Sequence, residues 1–127
     1  MVGSSSSSWG NPQRASTLGS GLIVVDAFVA KLDNTGQLVW NTFLGGGDMS
    51  SSGAGGSAIA VDGSGNVYVT GYSSATWGNP LRAFSGSFDA FVAKLDNTGQ
   101  LVWNTFLGGG MNDYGNAILD QQKYSIY

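Results

Sequence analysis

The chain repeats one long segment without a single change, and this repeat limits what the chain can fold into. Asp26–Gly47 and Asp89–Gly110 both read DAFVAKLDNTGQLVWNTFLGGG and agree at all 22 positions, 63 residues apart. A second block, WGNP followed one residue later by Arg-Ala, occurs at Trp9–Ala15 and again at Trp77–Ala83. Repetition at such a period is typical of proteins that stack copies of one supersecondary unit.

The repeated unit has the composition of β-strands joined by tight turns. Asp26–Leu32 and Leu38–Leu44 are short and rich in β-branched and aromatic residues, and the glycine of Asp33–Gly36 suits a turn between them. Ala58–Val61 and Val67–Tyr72 continue the pattern. We therefore predict a four-stranded antiparallel meander in each unit. The predicted divisions are an N-terminal strand remnant and connector at 1–25, a first blade repeat with connector at 26–88, and a second blade repeat at 89–127.

Both faces of each predicted sheet carry bulky apolar side chains. Phe28 and Leu32 lie on one face of their strand and Val29 on the other. Such a sheet must be covered on both sides, and four-stranded sheets that pack face to face in series are propeller blades. The fold class predicted is therefore all-β, with two four-stranded antiparallel propeller-type blades.

Several spaced blocks resemble a known family. DAFVAKL, LVWNTFLGGG and SAIAVDGSGNVYVTGYSS, in this order, are similar to the bacterial β-propeller repeat called SBBP. WGNP stands where that family usually has a Phe-Pro segment, and the last unit has Asp120–Lys123 in place of the Gly-Asn turn. The resemblance implies repeated blades in a protein that is extracellular or on the cell surface, and it implies no catalytic residues.

Two blades are too few for a closed propeller, which typically has four to eight. One blade face covers about 300 Å² by strand spacing and rise, so covering it is worth on the order of 8 kcal/mol. We therefore predict that the chain's main partner is itself, through blade faces, in a ring or a filament. Met1–Ser8 aligns with Val69–Thr76 and could add a strand to a neighbouring chain, a position for which Tyr124–Tyr127 competes.

The composition excludes several kinds of site. The chain has no His, Cys or Glu and has five Lys and Arg against eight Asp, so imidazole or thiolate catalysis and phosphate-backbone binding are not expected. Its longest aliphatic run, Leu22–Val25, is far too short to span a membrane. Asp62–Asn66 could be a calcium loop, but a hairpin turn needs fewer assumptions. We predict no enzyme activity, no cofactor, no metal, no nucleic-acid partner and no membrane span.

Four residues in the WGNP connectors are the candidate contacts for a ligand or partner: Trp9, Arg14, Trp77 and Arg82. Each Trp either packs beneath its connector or offers a platform for a sugar ring, and the paired Arg residues either form a weak anion site or are solvated. The function predicted is a non-catalytic structural protein that self-assembles from propeller repeats. The alternative is a carbohydrate- or protein-binding propeller module, lectin-like, with a glycan as partner.

Overall fold

The computed structural model describes residues 1–16, 25–46 and 53–119, and the strands in these ranges form two antiparallel sheets. The first sheet has the order β1-β2-β3 and the second has the order β4-β5-β6-β7. The strands are β1 (Val2–Ser5), β2 (Asp26–Leu32), β3 (Leu38–Leu44), β4 (Ala54–Val61), β5 (Val67–Ser73), β6 (Asp89–Leu95) and β7 (Leu101–Leu107). The all-β prediction is confirmed for these residues, and the sheets are consistent with propeller-type blades.

The strands group differently from the predicted meander. We expected β2 and β3 to share a sheet with β4 and β5, but the sheet boundary lies between β3 and β4. Instead, β5 pairs with β6 over its whole length, from Val67 opposite Leu95 to Ser73 opposite Asp89. The WGNP connector between these two strands folds over the face of its own sheet, so the chain returns beside the strand it has just left.

The N-terminal strand is used within its own chain. We considered that Met1–Ser8 could be donated to a neighbour, but β1 pairs antiparallel with β2, with Val2 opposite Val29. The matching pair in the second sheet is Thr70 opposite Val92. The first sheet is therefore the counterpart of β5-β6-β7, with β1 in the place of β5. The competing segment, 124–127, lies outside the described residues.

The predicted turn after β2 forms as the sequence indicated. Gly36 has a φ of 86° and donates its amide to the Asp33 carbonyl at 3.1 Å. The Asp33 carboxylate accepts the amides of Thr35 at 2.8 Å and Gln37 at 2.9 Å. The Thr35 hydroxyl also donates to this carboxylate, and its bond is the main cause of the lowered pKa of Asp33, to which the two amide bonds add. The copy of this turn after β6 has the same bonds.

The main core lies between the two sheets. One face of the first sheet contributes Val29, Trp40 and Leu44, and the facing side of the second contributes residues such as Phe91 and Leu95. β4 runs beside β1 and β2, and the amide of Ala54 donates to the Val25 carbonyl at 2.6 Å. The two sheets are thus packed face to face, as consecutive blades require. The core residues are Ala27, Val29, Trp40, Leu44, Ala54, Val67, Val69, Trp77, Phe91, Ala93, Leu95 and Phe106.

Candidate functional site

The two connector tryptophans lie against the sheets. Trp77 is 4% exposed, and its ring meets Phe91 edge-on at 5.1 Å and Phe106 at 5.8 Å. The Asn104 amide also donates to the Trp77 carbonyl at 2.9 Å. These contacts anchor the second connector to its own sheet through both the side chain and the backbone of one residue.

Trp9 makes the same contacts in the first sheet but is less covered. Its ring meets Phe28 at 5.1 Å and Phe43 at 5.7 Å, and its carbonyl accepts the Asn41 amide at 2.9 Å. Trp9 is half-buried because its outer side faces away from the second sheet, whereas the first sheet covers Trp77. The two residues therefore differ only in whether a neighbouring sheet lies over them.

Each connector arginine binds backbone carbonyls at the end of the last strand of its sheet, which is β3 for Arg14 and β7 for Arg82. Arg14 donates to the carbonyls of Phe43 at 3.1 Å and Gly45 at 3.0 Å. Arg82 repeats this arrangement on Phe106 and Gly108, both at 3.0 Å. Burial lowers the pKa of Arg14, and the negative charge of Asp26 opposes that shift. A guanidinium held in this way stabilises the strand end.

This geometry bears on the two interpretations of the connector residues. A sugar platform needs one open face of an indole ring, and the face of Trp77 is covered, with the Arg14 guanidinium 5.6 Å from the ring centre. Two donors of each arginine are already bound to carbonyls. The arrangement favours packing beneath the connector over ligand binding, and a glycan contact at Trp9 or Trp77 stays a prediction.

The carboxylate of Asp62, in the candidate calcium loop, is engaged by its own turn. One oxygen accepts the amides of Ser64 at 2.9 Å and Asn66 at 3.0 Å. The other accepts the Asn66 side-chain amide at 3.0 Å and the Tyr68 hydroxyl at 3.1 Å. The Asn66 side-chain bond is the main cause of the lowered pKa of Asp62. These contacts are those of a hairpin turn.

The two acids that open the repeated segment are buried. Asp26 and Asp89 are both 0% exposed. The Ser16 hydroxyl donates to Asp26 at 3.2 Å, and the Ser85 amide donates to Asp89 at 2.7 Å. Both carboxylates therefore lie in the protein interior, where each one binds the connector that precedes its strand.

The exposed outer faces of the two sheets are the surfaces with the clearest potential for interaction. Because the repeat is identical, each side chain can be compared with its own copy. Leu44 is 0% exposed but its copy Leu107 is 48% exposed, while Leu95 is 0% exposed and its copy Leu32 is 44% exposed. Each buried member lies in the core between the sheets, and each exposed member lies on an outer face.

Sequence reasoning missed the contact that joins the sheets at Trp40. The indole nitrogen donates to the Asn97 carbonyl at 3.3 Å, and the ring lies over the Asn97–Gly99 turn of the second sheet. Trp40 is 7% exposed, while its copy Trp103 is half-buried. No local signal could have found this contact, because the copies of both partners have the same sequence neighbours and do not meet.

Among residues 1–16, 25–46 and 53–119 no helix is long and apolar enough to cross a membrane. Within the same ranges no group of three or more His, Cys, Asp or Glu side chains could hold a metal ion.

Comparison with known proteins identifies one segment of the chain. No curated protein matches the sequence. Residues 52–81 match the family described as a beta-propeller repeat, SBBP. In the structure these residues include β4, β5 and the first part of the following connector, with Trp77. Residues 52–81 therefore match a beta-propeller repeat of the SBBP family, which confirms the resemblance identified from the sequence for this segment.

Proposed function

We propose that this chain is a non-catalytic structural protein that self-assembles head to tail through the outer faces of its two sheets. The observation that carries the proposal is the different burial of identical residues in the two copies. Leu44 and Leu95 are fully buried where the sheets meet, and their copies Leu107 and Leu32 are nearly half exposed. The outer faces have the composition of surfaces that already pack together inside the molecule.

The internal contact supplies the template for contact between copies. The face of the first sheet that carries Leu44 packs on the face of the second that carries Leu95. The exposed face with Leu107 belongs to the second sheet, and the exposed face with Leu32 belongs to the first. Joining these two faces from different copies would repeat the internal packing. Such a contact is heterologous, and it generates a ring if the rotation closes and a filament if it does not.

Five acidic side chains in the described part of the chain support a structural role. Those of Asp33, Asp62 and Asp96 close hairpin turns, and those of Asp26 and Asp89 are buried against serines of the connectors. An extracellular or cell-surface location, which the family resemblance implies, belongs to the same proposal.

Sedimentation velocity over a range of protein concentrations tests the proposal, with one charged variant and one matched control. Leu107→Glu places a carboxylate on the outer face and should leave the chain monomeric at micromolar concentration, because a charge is costly to bury without a partner. Val102→Glu is the control, since Val102 and its copy Val39 are 53% and 52% exposed and neither lies in the internal contact.

Assembly of the unmodified chain and of Val102→Glu, with loss of assembly in Leu107→Glu, would support the proposal. Circular dichroism checks that both variants retain their β structure. An unmodified chain that stays monomeric at micromolar concentration, or a Leu107→Glu variant that assembles as well as the control, would overturn it.

A further inference from the structure

The last described segment, residues 113–119, lies on the second sheet as β4 lies on the first. The amide of Ala54, at the start of β4, donates to the Val25 carbonyl at 2.6 Å. The amide of Asp113 donates to the Phe88 carbonyl at 2.7 Å, and Phe88 is the copy of Val25 at the repeat spacing of 63 residues. Ala54 and Asp113 therefore make equivalent hydrogen bonds, each to the residue that precedes the repeated segment.

A second contact gives the same equivalence further along the segment. Gly56 of β4 packs closely on Val2 and on the Gly3 carbonyl of β1. Gly115 packs in the same way on Thr70 and on the Gly71 carbonyl of β5, and its amide donates to that carbonyl at 3.0 Å. The sequence agrees, because Ala117-Ile118 repeats Ala58-Ile59 at the same distance after the glycine. Residues 113–119 therefore lie on the second sheet in the same way as β4 lies on the first sheet. Unlike β4, they form no strand ladder with another described strand.

β1 offers the edge that such a strand would need. In the second sheet, β5 pairs with β4 on one side and with β6 on the other. In the first sheet, β1 pairs with β2, and no other described strand pairs with it. An unpaired strand edge is a row of free amides and carbonyls that accepts a strand.

We propose that residues 113–119 of one copy pair with β1 of a second copy and complete its first sheet. This inference rests on the proposed head-to-tail assembly and adds its main-chain contact. The segment cannot reach β1 of its own chain from its place on β5, because the second sheet, through β4, stands between it and the first. Packing of the outer faces alone buries about 600 Å² in total, below the ~1,200 Å² of stable complexes, so strand pairing supplies contact that the faces lack.

The register of the pairing follows from that of β4 with β5. There Gly56 lies opposite Gly71 and Ala58 opposite Thr70, with Ser57 in a bulge. Transferred by the equivalences above, Gly115 lies opposite Gly3 and Ala117 opposite Val2, while Asn116 takes the bulge. Paired residues in antiparallel strands have Cα atoms about 4.5–5.5 Å apart, which suits a disulfide.

Disulfide formation between two single-cysteine chains tests this register, and the natural chain has no cysteine to interfere. A tagged Val2→Cys chain is mixed with an untagged Ala117→Cys chain, oxidised mildly and examined on a non-reducing gel. Asn116→Cys, one residue away and also exposed, replaces Ala117→Cys in the control mixture. We expect at least about tenfold more mixed dimer with Ala117→Cys, because only that pair is held at disulfide distance.

Sedimentation of the same mixtures separates this inference from the proposed function. Assembled chains that give no mixed dimer, or equal amounts with Ala117→Cys and Asn116→Cys, would overturn the strand pairing and leave face-to-face assembly standing. Chains that do not assemble at all would overturn the proposed function, and this inference would fall with it.

Discussion

Alanine at Gly36 and at Gly99 should have unequal effects on stability although the two glycines are copies of each other. Their φ angles are 86° and 87°, so the left-handed backbone costs a residue with a Cβ about 1–2 kcal/mol at either site. A Cβ at Gly36 would meet nothing within 4 Å, whereas a Cβ at Gly99 would lie 2.6 Å from Cε3 of Trp40 in the other sheet.

The difference between the two variants measures the contact between the sheets. Trp40 is 7% exposed, so its ring must push into packed neighbours to make room for the new Cβ. Forcing a methyl into a packed core typically costs about 1–3 kcal/mol. Gly99→Ala should therefore lower the free energy of unfolding by about 2 kcal/mol more than Gly36→Ala. With an m value of about 2 kcal/mol/M, the urea midpoints should differ by about 1 M.

Urea unfolding followed by tryptophan fluorescence measures this difference, at a protein concentration where sedimentation shows a single species. A Trp40→Leu background is the control, because Gly99→Ala should then cost no more than Gly36→Ala does. Equal midpoints for the two alanine variants in the natural background would refute the packing of Trp40 on the Asn97–Gly99 turn, and with it the face-to-face arrangement of the sheets.

Three further measurements test the connectors and turns. Trp77→Ala should lower the free energy of unfolding by about 3–5 kcal/mol and Trp9→Ala by clearly less, because only Trp77 is fully covered; urea midpoints that fall equally would contradict this. Arg82→Met should cost about 0.5–1.5 kcal/mol by thermal unfolding, since it removes bonds to two carbonyls that solvent weakens at this exposed side chain; an unchanged melting temperature would show that these bonds do not hold the strand end. The pKa of Asp62 lies below its usual value, so its contribution to stability is present above the ordinary carboxyl pKa and is lost as the pH falls through the folded pKa. The destabilisation by Asp62→Asn should therefore shrink as the pH is lowered through that range, and a penalty that is the same at all pH values would contradict the sign.

Local structure could be predicted from sequence because its causes are local. Short runs rich in β-branched and aromatic residues predicted Asp26–Leu32 and Leu38–Leu44 as strands, and both form with those bounds. Asp33 and Gly36 predicted the turn between them, which depends on one carboxylate and one positive φ. The family resemblance likewise depended only on residue order, and it holds over residues 52–81.

The candidate site was predicted only in part. The connector residues Trp77 and Arg82 were singled out as contacts for a ligand or partner, which stays a prediction, and the structure shows them packed on Phe91 and bound to the strand end. The grouping of β4 and β5 with β6 also escaped prediction, because several pairings satisfy the same alternation of side chains.

The sequence by itself determined the strands, the turns and the presence of repeated units, since each depends on neighbours a few residues away. It could not determine which face of each unit is covered, because Leu44 and Leu107 lie in identical segments and are 0% and 48% exposed. That difference comes from the second sheet, which covers one face of the first and leaves its own matching face open. Burial is a property of what lies across the interface, and only the tertiary structure decides it.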